Sequence, residues 1–97
     1  MDMQAILAQG GVSIQNYTGS SLGTSSTQIS LGNSAKAGII KNPNTDRTKI
    51  LSYSLDDSKW IEIPPLTFRN IYKPFDALYL KSGAAGSKYD IETAEYL

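Results

Sequence analysis

Three groups of residues in this 97-residue chain have types and spacings that could do chemistry. Asp90 and Glu92 are two apart, which in a strand puts both carboxylates on one face, as in the acid pair of a glycosidase. Such a pair is more often a solvated strand face, and that is the expectation for it. Asp56 and Asp57 precede Trp60, so acidic groups could meet sugar hydroxyls beside a stacking ring. The plainer reading is a polar turn between strands. Asn42, Asn44 and Asp46 share the alternate-oxygen spacing that opens a calcium loop. However, Arg47 stands at the sixth place, where the loop needs glycine, and Tyr53 at the twelfth, where it needs glutamate. A turn built on Asn-Pro-Asn is expected instead.

The inventory around these groups is thin. The chain has no histidine and no cysteine. A Ser-His-Asp or Cys-His arrangement is therefore impossible, and zinc and iron lose their usual ligands. No glycine-rich phosphate loop appears. The expectation is a protein with no catalytic residue, no cofactor and no metal. Nine basic and nine acidic residues cancel, so the field that draws a protein to nucleic acid or anionic lipid is missing. The start, MDMQAILAQGG, is acidic and its apolar run is too short for a signal peptide. No stretch is long enough to span a membrane as a helix. Synthesis in the cytosol, with neither nucleic-acid binding nor membrane insertion, is expected.

The elements that would position these groups are strands. Short runs rich in β-branched and aromatic residues fall at 12–15, 27–31, 37–40, 49–53, 60–63, 66–68, 77–80 and 89–92, with turn residues between them. This spacing predicts an all-β fold: a single antiparallel β-sandwich of seven to nine strands over 12–97, jelly-roll-like or immunoglobulin-like. The Gly/Ser/Thr-rich segment 17–26 offers little to bury and reads as a flexible loop. Pro64-Pro65 interrupts what would be one long strand. Proline cannot donate to a ladder, so the chain is expected to leave one sheet there and enter the other. The segment 78–91 reads as a terminal hairpin. Leu78 and Leu80 would face the core with Tyr89 and Ile91, and Lys81 would stand opposite either Lys88 or Asp90.

A domain this small has a limited core, and its sheet edges invite partners. Tyr and Trp bury area at low entropy cost and are enriched at interfaces. The expected partner contacts are Met3, Ile6, Leu7, Trp60, Tyr72 and Phe75. The first three lie on an N-terminal arm, 1–11, that ends in a Gly-Gly hinge. The arm either docks on a neighbour or adds an edge strand to its own sheet. A closed ring, a trimer or pentamer, or tight docking on a symmetric shell is expected, against a self-sufficient monomer with these side chains in its own core.

The stretch 27–96 resembles a group of small bacteriophage virion proteins. It carries an I-x-N-P phrase at Ile40-Lys41-Asn42-Pro43. A proline-marked segment, Ile63-Pro64-Pro65-Leu66-Thr67-Phe68, leads into an apolar strand. The closing phrase, Ala77-Leu78-Tyr79-Leu80-Lys81-Ser82-Gly83, runs into the last strand. Where those proteins carry Pro-Gly, this chain has Pro64-Pro65. The resemblance implies a non-enzymatic structural protein located in the virion, as a minor capsid, decoration or vertex protein. It would pack against the major capsid protein or other head and tail proteins, as a homo-oligomer within a symmetric assembly. The alternative is a carbohydrate-binding module or receptor-binding spike domain. There Trp60 and Tyr72 would stack on sugar rings, and Asp56 and Asp57 would bind hydroxyls.

Overall fold

The alternating runs become eight strands in the computed structural model, which describes residues 11–97. They are β1 (Val12–Leu22), β2 (Thr27–Ile29), β3 (Ala35–Lys41), β4 (Leu51–Ser54), β5 (Ile61–Ile63), β6 (Phe68–Ile71), β7 (Leu78–Ser82) and β8 (Ser87–Tyr96). One sheet has the order β1-β8-β3-β6 and the other β2-β7-β4-β5. All pairings are antiparallel. The pairs β1–β8, β2–β7, β3–β6 and β4–β5 are nested. The chain thus doubles back on itself about the β4–β5 turn, and the doubled ribbon is rolled into two sheets. This is the jelly-roll arrangement.

Only the β4–β5 connection stays within a sheet; every other step between successive strands crosses to the facing one. The Pro64-Pro65 crossing runs from β5 to β6, as expected. The expected terminal hairpin does not form, because β7 and β8 lie in different sheets. Leu78, Leu80 and Ile91 do turn inward, all fully buried, but they meet across the core. The small residues between these strands have another purpose. Gly83 donates to the Ile50 carbonyl at 3.0 Å, and a Cβ on it would lie 2.6 Å from the Thr48 carbonyl oxygen.

The core between the sheets joins Leu22, Ile29, Ile40, Leu51, Ile63, Ile71, Leu78, Leu80 and Ile91. Each such side chain contributes roughly 1.5–3 kcal/mol on burial. Phe75 belongs to this core and is not a partner contact. It is 6% exposed, and its backbone exchanges two hydrogen bonds of 2.9 Å with Ala35. The loop expected over 17–26 shrinks to 23–26, since strand β1 runs through Leu22. Tyr17 packs on the core and Leu22 is part of it. At Gly19 the Tyr89 ring lies on the backbone, where a Cβ would meet Cε1 at 2.5 Å. The register slips between Gly19 and Leu22, so the serines there form a bulge in an edge strand. The arm residues Met3, Ile6 and Leu7 lie outside the described residues.

Candidate interaction surface

β5 and β6 are the last strands of their sheets, and the short turn 64–67 holds them on one side of the sandwich. That turn is tied down by buried amides. Asn42 is 1% exposed. Its Nδ2 donates to the carbonyls of Lys49 at 2.9 Å and Ile63 at 2.8 Å. Its backbone N–H donates to Thr67 and its carbonyl accepts from Leu66. Asn44 exchanges two bonds with the Lys88 backbone, and its own N–H and Nδ2 donate to Asn42 Oδ1. The Asn-Pro-Asn phrase is therefore a clamp at one end of the sandwich. Its amide oxygens face N–H donors and are not arranged for a cation. The Asp46 carboxylate serves Thr48 in the same loop.

The clamped turn and the two edge strands it joins expose apolar groups to solvent. Leu66 is 70% exposed, Tyr72 58%, Phe68 56% and Ile61 47%. Leu66 also has φ of 61°. It occupies the third place of a turn closed by the Thr67 N–H to Pro64 carbonyl bond, where Gly or Asn ordinarily stands. An L residue in this conformation costs about 1–2 kcal/mol. Between the two edges is an open groove of about 380 Å³, walled by Tyr53, Ile61, Ile71 and Tyr72. Asp56, Lys59 and Lys73 stand at its rim. Burial raises the pKa of Tyr53.

Of the residues that the sugar-binding reading groups together, the structure brings Asp56 and Tyr72 to one groove and leaves Trp60 and Asp57 outside its lining. Tyr72 lines the groove. Trp60 lies under Lys81, with Nζ 4.1 Å from the ring centroid, on the outer face of the β2-β7-β4-β5 sheet. Asp56 Oδ1 accepts from Ser54 Oγ and from the Ser58 and Lys59 amides. Those bonds, the Lys59 amide first, pull its pKa down to about 2. Asp57 accepts from Ser26 Oγ. The acidic pair thus builds the β4–β5 turn. Asp90 and Glu92 share the outer face of β8, where Asp90 accepts from Asn16 Nδ2 at 2.9 Å and Glu92 meets Lys41 Nζ at 3.4 Å. No cluster of acidic groups that could hold a metal ion occurs among the described residues.

One ionisable site had no signal in the sequence. Glu95 is 2% exposed. It accepts from the Tyr17 and Thr93 hydroxyls and from the Asn33 amide at 2.7 Å. Burial works to raise its pKa, but the hydrogen bonds from Thr93, Tyr17 and the Asn33 and Gly32 amides outweigh it and hold the carboxyl below its ordinary range. Burial and the Glu95 contact raise the pKa of Tyr17. Both carboxylate oxygens are occupied by donors from the chain itself, so the site is a structural tie. Leu66, Phe68 and Ile61 were equally silent as surface residues, because three apolar side chains around Pro-Pro read as core strands. No family model, curated protein or solved structure matches the chain.

Proposed function

We propose that this is a non-enzymatic structural protein of a virion, which packs against capsid or other head and tail proteins through the β5–β6 side. The observation that carries the reading is Leu66. A large apolar side chain is held in solvent, in a backbone conformation that disfavours it, by a turn clamped through Asn42. Strain of this kind persists where the surrounding structure imposes it, and it marks sites that act on something else. Phe68 is exposed on the strand that follows the turn, and Ile61 and Tyr72 line the groove between the two edges. The virion assignment rests on the resemblance of 27–96 and on an arrangement of strands that capsid domains use. Fold alone does not fix function, so the test is on the surface. Tagged Leu66→Asp and Phe68→Asp chains, expressed during infection, should fold yet be missing from purified particles. Normal copy number of both variants in the particle sinks the proposal.

A further inference from the structure

Tyr53 is 7% exposed and lines the groove between the two short edges. Its hydroxyl makes no hydrogen bond among the described residues, yet no polar side-chain atom there is sealed away without a partner. The hydroxyl therefore ends at the opening that Tyr53 lines. A buried tyrosine ordinarily spends its hydroxyl on a bond, and an unmet one asks for an explanation. The walls around it are apolar: Ile71, which is buried, and the exposed Ile61 and Tyr72. The volume, about 380 Å³, lies at the lower end of the range for ligand sites.

The charges at the opening are unequal. Lys59 and Lys73 stand at the rim, both exposed and neither in an ion pair among the described residues. Arg69 spans the two edges, with Nε donating to the Glu62 carbonyl at 3.3 Å, and its charge acts on the Tyr53 phenol. Asp56 is the one acidic residue in the lining. Its carboxylate is taken up within the β4–β5 turn, where it accepts from Ser54 Oγ and from the Ser58 and Lys59 amides. Glu62 belongs to the outer face of its sheet, opposite Ser52 in the register. We infer, on the reading that this side docks a partner, that the groove takes a segment of the partner protein in which a carboxylate stands next to an aromatic or large aliphatic side chain. The apolar side chain fills the space between Ile61, Ile71 and Tyr72. The carboxylate meets Lys59 and Lys73 at the rim, and an oxygen of the segment accepts from the Tyr53 hydroxyl. A basic segment would set like charges together, and a wholly polar one would leave the apolar walls wet.

Two probes stand in for the segment: acetyl-Asp-Phe-amide and its charge-reversed counterpart, acetyl-Lys-Phe-amide. Titrated into the isotope-labelled full-length chain at low salt, the first should shift the backbone amide NMR signals of Tyr53, Ile61, Ile71 and Tyr72 to saturation. It should bind about 5-fold more tightly than the second, the scale of an exposed ion pair, and the gap should narrow as salt is added. Lys59→Glu with Lys73→Glu should abolish or invert the preference, whereas Lys59→Arg with Lys73→Arg should keep it. Tyr53→Phe should weaken the acidic probe at least about 3-fold, with the amide signals still dispersed as in a folded chain. No saturable shift at the groove, equal affinity for the two probes, a preference untouched by the glutamates, or full affinity in Tyr53→Phe overturns the inference. The probes need no particle, so the two failures separate. Leu66→Asp chains lost from particles, with no probe bound, would leave the docking reading standing and sink the groove's preference. Probe binding with normal incorporation of the Leu66→Asp and Phe68→Asp chains would sink the docking reading and leave the groove's preference standing.

Discussion

The sandwich has two open sides, and they are built on opposite principles. On one side the edges are β1 and β2. β1 is eleven residues long, and an edge of that length, with no second partner strand among the described residues, is a template for aggregation. It is defended by a bulge and by polar neighbours: Asn16, Thr18, Thr27, Gln28 and Ser30 line the shallow groove there. Its interior support is the Tyr17–Glu95 tie. On the other side the edges are β5 and β6, three and four residues long. Strands this short offer few free backbone groups, so apolar side chains can be shown to solvent at smaller risk. The lesson is that edge length and edge chemistry are traded against each other. The long edge is made unattractive, and the short one carries the exposed apolar side chains.

The largest effect that would break this comparison is on the polar side. Glu95→Ala leaves the Tyr17 and Thr93 hydroxyls and the Asn33 amide without their acceptor in a buried site. Urea unfolding should show a loss of about 3 kcal/mol, in the range for orphaned partners of a charged group. A loss below about 1 kcal/mol would mean water replaces the carboxylate and the tie is dispensable. Next is Gly19→Ala, also on the polar side, where the new methyl must displace the Tyr89 ring. A loss of about 2 kcal/mol is expected, and an unchanged midpoint would show that the ring moves freely.

On the apolar side the sign reverses. Leu66→Gly relieves a left-handed L residue and removes an exposed apolar side chain, so the fold should gain about 1 kcal/mol while incorporation into particles falls. A variant both less stable and fully incorporated would remove the argument from Leu66. The smallest effect concerns acid. Asp56 has its pKa lowered from 3.8 to about 2 by the Lys59, Ser54 and Ser58 bonds in the β4–β5 turn, and those of Asp46 and Glu95 are lowered too. A lowered folded-state pKa adds stability that is complete above the unfolded value and is lost as pH falls through the folded one. The unfolding midpoint should therefore stay level from neutral pH to about 5 and drop between about 4 and 2. With Asp56→Asn, part of that drop should disappear; an identical profile would show the turn bonds contribute nothing.

Face was legible in the sequence, but partner was not. The alternation of Leu78 and Leu80 with Tyr89 and Ile91 correctly placed all four toward the interior. Period two reports a side of a strand, though, and says nothing of which sheet holds it. Successive strands usually pair, so Ser82-Gly83-Ala84-Ala85-Gly86-Ser87 looked like a hairpin turn when it is an arch between sheets. Pro64-Pro65 was readable because a missing donor is a local fact. Within 17–26, the part up to Leu22 was misread because its strand depends on Gly19 accommodating Tyr89, seventy residues away. Glu95 could not have been found, as its burial depends on Tyr17, seventy-eight residues distant. Tyr72 was placed correctly at the surface, whereas Phe75, three residues on, faces Ala35 in the core.

The outermost pair of the nested ribbon sets Val12 opposite Tyr96. Residues 12 and 96 are consequently about one strand spacing apart, roughly 5 Å. A polypeptide that carried this domain between two of its own segments would leave its path and rejoin it at nearly the same point, as thread does around a bead. Tension along such a thread would act first on the β1–β8 pair, opening its hydrogen bonds one after another from that end. β3, bonded to the other edge of β8, would share that load.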